Sequence, residues 1–287
     1  MTASSDGRPG GPRTWLITGV SSGFGRALAE AALEKGDRVA GTVRTEAARR
    51  KFEQLVPGRS LGVLLDVTDR AAIVRAVVAV EEWAGGIDVL VNNAGYGLVG
   101  GVEEASDSEI RAQFEVNVFG ALAVIQAVLP LMRRQRSGRI VCISSVSGLV
   151  GWPSLGIYSG SKFALEGICE TLAQEVAPLG IRVILVEPGG LRTDFAGRSS
   201  AHAAKTIVDY DATVGACKRI LAEHAGHESG DPRKAAHAVL TAVEAASPPL
   251  RLLLGADAVR YTSNKLTAFT DEMERWKSLS LGIGYDD

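Results

Sequence analysis

Thr14-Trp15-Leu16-Ile17-Thr18-Gly19-Val20-Ser21-Ser22-Gly23-Phe24-Gly25 runs from an apolar stretch straight into a turn that carries three glycines. Thr14 to Thr18 reads as a short buried strand. Arg26 to Lys35, rich in Ala, Leu and Glu, reads as a helix that Gly36 ends. Strand, glycine turn and helix in that order can hold a pyrophosphate. Glycine lets the backbone approach the phosphates, and a helix N-terminus offers free N–H groups and partial positive charge. The spacing is Gly19-x-x-x-Gly23-x-Gly25 rather than the commoner Gly-x-Gly-x-x-Gly. A bare tight strand-to-helix turn is the plain alternative.

The same alternation continues outward from this turn. Arg38 to Arg44, Leu61 to Leu65, Ile87 to Val91, Arg139 to Ile143, Ile181 to Val186 and Leu250 to Leu254 read as strands. Asp69 to Trp83 has apolar residues at helical spacing. Ser106-Asp107-Ser108-Glu109 is a capping box that opens a long helix, with Pro130 near its end predicting a bend. Asp231 with Pro232 starts a helix to about Ala246, and Ala256 to Lys277 reads as one more. Strands alternating with helices predict an α/β fold, a doubly wound, Rossmann-like parallel sheet in a single domain. Residues 1–12, rich in Ser, Gly and Pro, read as a disordered tail before a domain spanning 13–287. Within it, about 191–230 is less regular and is the expected substrate segment, and about 256–287 is a C-terminal extension.

Composition narrows the function. A formal charge of −2 on 287 residues gives no electrostatic case for nucleic acid or an anionic membrane. No apolar run approaches the ~20 residues of a membrane helix, and the N-terminus lacks an apolar h-region. A cytoplasmic location is the simplest expectation. Cys142, Cys169 and Cys217 stand far apart and are odd in number, which predicts reduced thiols. His224 and His227 are three apart, but no Cys or carboxylate cluster completes a metal site, so no metal is expected.

Candidate chemistry follows the strands' carboxyl ends. After the second strand stand Thr42, Val43 and Arg44. A carboxylate there would favour NAD; its absence beside a guanidinium favours the 2′-phosphate of NADP(H). Asn92-Asn93-Ala94-Gly95 suits a turn. Asn117 sits among apolar residues in a helix, where a buried amide needs a partner or a function. Tyr158 and Lys162 are four apart, one above the other on a helix face, and Ser144-Ser145 end a strand. An ammonium near a phenol, whose ordinary pKa is about 10, favours the phenolate and makes the tyrosine a general acid/base. Either serine hydroxyl could bind a carbonyl oxygen. Tyr-x-x-x-Lys alone is a weak signal, equally at home in an ordinary helix.

From Arg13 to Gly255 the chain resembles the short-chain dehydrogenase/reductase family. Thr18-Gly19-x-x-x-Gly23-Phe24-Gly25, with Ser21 and Ser22, is similar to its cofactor turn, Asp66-Val67 to its adenine contact, and Asn92-Asn93-Ala94-Gly95 to its Asn-Asn-Ala-Gly motif. Asn117, Ser145, Tyr158 and Lys162 match its catalytic tetrad; the family's serine usually lies thirteen before the tyrosine, which selects Ser145. Pro188-Gly189, with Leu191 and Thr193, resembles the stretch bordering the nicotinamide. The resemblance implies an NADP(H)-dependent oxidoreductase that moves a hydride between the nicotinamide and a ketone, aldehyde or secondary alcohol. Tyr158 would be the acid/base, Ser145 would bind the substrate oxygen, and Lys162 would tune Tyr158 and hold the nicotinamide ribose. Asn117 would hold a relay water. An epimerase or dehydratase of the family, or a dinucleotide sensor without turnover, are the alternatives. The resemblance also implies a homo-oligomer, dimer or tetramer, built on the helices of Asn117 and Tyr158. Phe195, Ile207, Val208, Tyr210 and Val214 suggest a moderately apolar small-molecule substrate.

Overall fold

The computed structural model describes residues 11–193 and 199–285. The expected tail, over residues 1–10, and Phe195 lie outside the described residues.

The chain runs β1 (Thr14–Ile17), α1 (Gly23–Glu34), β2 (Arg38–Val43), α2 (Glu46–Glu53), β3 (Ser60–Leu64), α3 (Arg70–Ala84), β4 (Val89–Asn92) and β5 (Gly97–Val99). It continues with α4 (Asp107–Phe114), α5 (Ala121–Gln135), β6 (Gly138–Ile143), α6 (Gly156–Val176), β7 (Ile181–Pro188) and β8 (Ser200–His202). Last come α7 (Ala216–His224), α8 (Pro232–Glu244), β9 (Arg251–Leu254) and α9 (Ala256–Leu281). Seven parallel strands form one sheet in the order β3-β2-β1-β4-β6-β7-β9, and β5 pairs with β8 apart from it.

Alternation along each strand serves two cores. Trp15 and Ile17 of β1 and Val89 and Val91 of β4 pack with α1 and α8, whereas Leu16 and Leu90 pack with α3, α5 and α6. A sheet buried on both faces in this way needs apolar residues at successive positions, which is why its strands read as continuous apolar runs. After β3 the chain returns to the middle of the sheet, so β1 and β4 run side by side with their connections leaving in opposite directions. Ligand crevices of such sheets open at that switch, outside the carboxyl ends. The expected architecture and strand set are therefore observed.

Several details differ from expectation, among them the β5–β8 pair and α7, since β8 and α7 lie within the segment expected to be less regular. Helix α2 has no counterpart among the expected helices, because its sequence Glu46-Ala47-Ala48-Arg49-Arg50-Lys51-Phe52-Glu53 buries only Phe52. It is held instead by a Thr45 cap on the Ala48 N–H and by Arg49 pairing with Glu46 and Glu53. The expected long helix is α4 and α5 joined by a π-helical stretch, Glu115–Gly120. Contrary to the expectation that no apolar run approaches the length of a membrane helix, the continuous run Asp107–Gln135 is long and apolar enough by length and composition, with half of its apolar window buried inside the protein. Pro130 lies within α5, and the π-helical stretch is upstream of it.

Candidate active site

The glycine turn is built by two strands at once. Thr18 Oγ1 accepts the N–H groups of Asn93 and Ala94, each at 2.9 Å. Asn93 Nδ2 donates back to the carbonyls of Thr18 at 2.9 Å and Gly19 at 3.0 Å. A side chain at Gly25 would strike Asn93 Nδ2 at 2.3 Å and the Gly19 carbonyl at 2.4 Å, so only glycine lets this clasp close. Gly19 and Gly23 hold φ of +75° and +61°, which glycine adopts without strain. Sequence reasoning treated Asn93 as turn chemistry. Its partners are some 75 residues away, and local patterning carries no signal for them.

The residues of this turn fit a dinucleotide. Ser22 caps α1 from an extended backbone, yet its side chain takes no N–H of the first turn. The Ser22 side chain therefore leaves uncapped the N–H groups of that turn, which an anion at a helix N-terminus would use. Ser21 and Ser22 are exposed, while Phe24 is buried as an anchor in the core. Across the crevice, a side chain at Gly23 would first meet Thr193, 3.7 Å away, so the turn faces the stretch that follows β7. Arg44 is exposed beyond β2, and no acid stands at Thr42 or Val43. Asp66 follows β3; its carboxylate accepts the N–H and hydroxyl of Thr68, and these bonds, with the more distant charge of Arg44, lower its pKa. Val67 is buried against Gly120. Asn92 turns inward: its Nδ2 donates to the Ala121 carbonyl at 3.2 Å, which ties β4 to α5. Ala94 and Gly95 continue the same loop past the clasp.

On the next strands, Tyr158 sits in the first turn of α6 and Lys162 one turn on, both buried. The two serines separate. The Ser145 hydroxyl hydrogen-bonds Tyr158 and also accepts the Ser147 N–H at 3.1 Å. Ser144 is buried, its hydroxyl beside the Glu166 carboxylate. The family spacing and the geometry thus select the same serine.

The electrostatics depart from the simple Tyr/Lys expectation. Burial pushes the Tyr158 phenol up to about 12, and the Ser145 hydrogen bond offsets only part of that. Lys162 is anchored to the backbone of the preceding strand. Its Nζ donates to the Ile143 carbonyl at 2.8 Å and lies 5.9 Å from the Tyr158 ring centre. Burial brings Lys162 down to about 8, against the pull of Cys142, Glu166 and Cys169. Desolvation therefore outweighs the Ser145 hydrogen bond at Tyr158 and the neighbouring charges at Lys162.

Asn117 lies in the π-helical stretch, a register shift often found at functional sites. Its Oδ1 accepts the Tyr96 N–H at 3.1 Å; its Nδ2 donates to the Tyr96 carbonyl at 2.9 Å and to Ser161 Oγ at 3.2 Å. Ser161 in turn donates to the Tyr158 carbonyl at 2.6 Å. The amide is therefore a strut between the loop after β4 and the first turn of α6, with both amide hydrogens engaged. Only its oxygen retains a lone pair for the relay water that the resemblance implied.

Behind this group lies a carboxyl cluster that sequence reasoning missed. Glu166 on α6 and Glu187 on β7 are buried, and both reach Arg251 of β9, at 3.2 Å and 3.3 Å. Arg251 also binds the exposed Glu170 at 2.8 Å. Burial raises both inner carboxyls, Glu187 to about 8, and their mutual repulsion adds to the rise at Glu187. Beyond them, β7 ends at Pro188. Gly189 is pressed against Asp257, whose carboxylate accepts the Gly190 N–H at 2.8 Å. Leu191 bridges to Gly230, which starts the expected substrate segment on a fixed footing.

That segment is fastened by polar contacts. Glu104, almost wholly buried, accepts the N–H groups of Gly101 and Ile207, each at 2.9 Å, and Lys218 Nζ at 2.6 Å. These donors hold its pKa down to about 2. Tyr210 donates to Glu103 at 2.6 Å. Of the described apolar residues expected to line a substrate pocket, Val214 is buried, Ile207 and Tyr210 are half-buried, and Val208 is 84% exposed. The apolar reading of this segment therefore missed the Glu104–Lys218 tie, whose partners are 114 positions apart.

A family model described as short chain dehydrogenase matches residues 13–228. Oxidoreductase BOA17 of Botryotinia fuckeliana is 42% identical over 94% of this chain and 98% of its own. The crystal structure of a short-chain dehydrogenase from Streptomyces avermitilis superposes with a TM-score of 0.90 at 41% identity, covering 96% of this chain and 100% of that one. A short chain dehydrogenase/reductase from Burkholderia phymatum, in complex with NAD, gives a TM-score of 0.77 at 27% identity over 94% and 95% of the two chains.

Proposed function

The chain belongs to the short chain dehydrogenase family of oxidoreductases, and from that premise we propose that it is an NADP(H)-dependent enzyme that interconverts a ketone or aldehyde and an alcohol, with Tyr158 as general acid/base. The observation that carries this reading is the Ser145–Tyr158 hydrogen bond at the sheet edge that also holds the glycine turn. Two hydroxyls so joined can both address one carbonyl oxygen, one by donating a hydrogen bond and the other by donating the proton.

The cofactor would be held along that edge. Gly19, Gly23 and Gly25, with Ser21 and Ser22, suit its pyrophosphate; Asp66 and Val67 suit the adenine. Ala94, Gly95, Pro188, Gly189, Leu191 and Thr193 suit the nicotinamide half. When bound, the nicotinamide supplies or accepts the hydride. The exposed guanidinium of Arg44, with no carboxylate beside it on β2, supports NADP(H) over NAD(H). Lys162, fixed by the Ile143 carbonyl, supplies positive charge beneath Tyr158 and favours release of its proton. The strut from Asn117 through Ser161 orients Tyr158.

The test is incubation of the protein with NADPH or NADH and a panel of ketones and aldehydes, following loss of the reduced nicotinamide's absorbance. At least one carbonyl should be consumed with NADPH preferred. Tyr158→Phe should lower kcat about 10²–10⁴-fold while NADPH affinity stays within a few-fold. Turnover by that variant within tenfold of the parent would remove Tyr158 from the mechanism. NADPH binding without consumption of any carbonyl would favour a sensor, and conversion without net redox change an epimerase or dehydratase.

A further inference from the structure

Helix α9 leaves the body of the protein early. Its first turns are anchored by buried Ala258 and Thr262 and by Tyr261 against the edge of Trp152, with ring centres 4.6 Å apart. From Ser263 to Tyr285 every residue is exposed. The helix nevertheless continues to Leu281. At 1.5 Å per residue, the free part is about 28 Å long. It carries Ser263, Asn264, Thr267, Thr270, Ser278 and Ser280, all poor helix formers. A lone helix of this length and composition is marginal in water and takes its stability from packing.

The apolar residues identify the kind of packing. Val259, Leu266, Phe269, Met273 and Trp276 are spaced seven, three, four and three apart; Thr262, buried against the body, and Ile283 lie in the same phase, whereas the exposed Leu279 and Leu281 lie off it. The large ones are half or more exposed: Leu266 at 61%, Phe269 at 60%, Met273 at 51% and Trp276 at 58%. A period of 3.5 gives the narrow seam of a two-helix contact, not the broad apolar face of a helix lying on a flat surface. The opposite side holds Asn264, Asp271 and Ser278. Between Ser263 and Tyr285 three acids, Asp271, Glu272 and Glu274, balance three bases, Lys265, Arg275 and Lys277. A membrane-surface helix would carry an excess of Lys and Arg on its polar face.

We propose that α9 pairs with α9 of a second copy of this chain along this seam. The flanking charges suit self-pairing. Glu272 meets Lys277 of the partner subunit if the helices run parallel, and Lys265 of the partner subunit if they run antiparallel, so opposite signs face each other in either direction. A two-fold axis needs only one such self-complementary surface. The contact is independent of the reaction, because no residue of the seam belongs to the candidate active site.

Light scattering on the full chain at micromolar concentration tests this. The parent should exceed the 30.1 kDa of one chain. Leu266→Glu with Met273→Glu should halve the mass of the assembly and leave kcat unchanged. Asn264→Glu with Ser278→Glu, on the far side of the helix, should leave the mass as it is. A chain ended after Lys265, which removes the seam whether or not the substituted helix forms, should give the same halving. An interface elsewhere survives these changes, so the factor of two is the readout. A parent of 30.1 kDa, or a seam variant that keeps the parent's mass, overturns the proposal. So does binding of the parent to phosphatidylglycerol vesicles that the seam variant loses without a change of mass.

Discussion

Replacing Glu187 by Gln should stabilise the protein relative to the parent by an amount that grows from pH 6 to pH 8. Glu187 is wholly buried, and Glu166 is nearly so. Both lean on the one guanidinium of Arg251, at 3.3 Å and 3.2 Å, and exposed Glu170 competes for it at 2.8 Å. One cation cannot neutralise two buried carboxylates, so the folded protein keeps a proton that the unfolded chain has released. Burial first, then the Glu166 charge, pushes Glu187 from its ordinary 4.5 up to about 8. A folded-state pKa above the unfolded one gives stability that is fully present below about 4.5 and is lost as pH rises toward about 8. One proton corresponds to about 1.4 kcal/mol per pH unit. From pH 6 to pH 8 the full effect would be somewhat under about 3 kcal/mol, and Glu166 can share the proton, so about 1–3 kcal/mol is expected. For a chain of this size that is about 2–6 °C in Tm. The amide introduced by Glu187→Gln stays neutral and leaves Arg251 to Glu166. Melting curves of parent and variant at pH 6, 7 and 8 give the assay. Taking the difference cancels other groups, including Lys162, whose depressed pKa of about 8 acts in the opposite sense above pH 8. A Tm difference that stays flat from pH 6 to 8, or that falls, would refute the reasoning.

Three further outcomes are expected. Arg44→Ala should lower the preference for NADPH over NADH about ten- to hundredfold in kcat/KM, and Val43→Asp should turn it toward NADH; an unchanged ratio for Arg44→Ala rejects the phosphate contact. Lys162→Ala should weaken NADPH binding, slow turnover and move the rising limb of alcohol oxidation to higher pH, since Tyr158 loses the charge that favours its phenolate; pH profiles of kcat for parent and variant decide this. Glu104→Gln should cost about 1.5–3 kcal/mol, read by denaturant titration, and raise KM for the carbonyl while NADPH affinity holds. A shift in NADPH affinity instead would tie the Glu104–Lys218 contact to the cofactor side.

What the sequence made legible was local or periodic. The turn from Thr18 to Gly25, the Ser106 capping box and the Asp231-Pro232 start carry their geometry in adjacent residues, and each stands where expected. The strands were legible because burial on both faces leaves unbroken apolar runs. Helix α2 was not, since only Phe52 faces the core and a cap with ion pairs does the rest. The π-helical shift at Glu115–Gly120 arises where Gly120 meets the Val67 backbone, a contact no helical period announces. Tyr158 and Lys162 could be set on one helix face, but not their environment. The pairing of Lys162 with the Ile143 carbonyl and the depth of burial decide their pKa values, and both depend on tertiary packing. Glu166 and Glu187 read as ordinary charges in the sequence; only Arg251, from the last strand, joins them.

The Thr18–Asn93 clasp bears on how quickly a dinucleotide is captured. Fixing backbone that was free costs about 1–2 kcal/mol per residue, so ordering the seven residues from Gly19 to Gly25 at the moment of binding would cost about 7–14 kcal/mol. Here the carbonyls of Thr18 and Gly19 are already gripped by Asn93, and Val20 N–H is bonded to the Thr42 carbonyl at 3.0 Å. That entropy is lost when the domain folds, not when the ligand arrives. Encounter should then be a single step, with an observed rate that rises linearly with dinucleotide concentration and shows no plateau from a slow loop rearrangement. Asn93→Ala would return that ordering to the binding event, so its signature is a slower approach to equilibrium even where the final complex is the same.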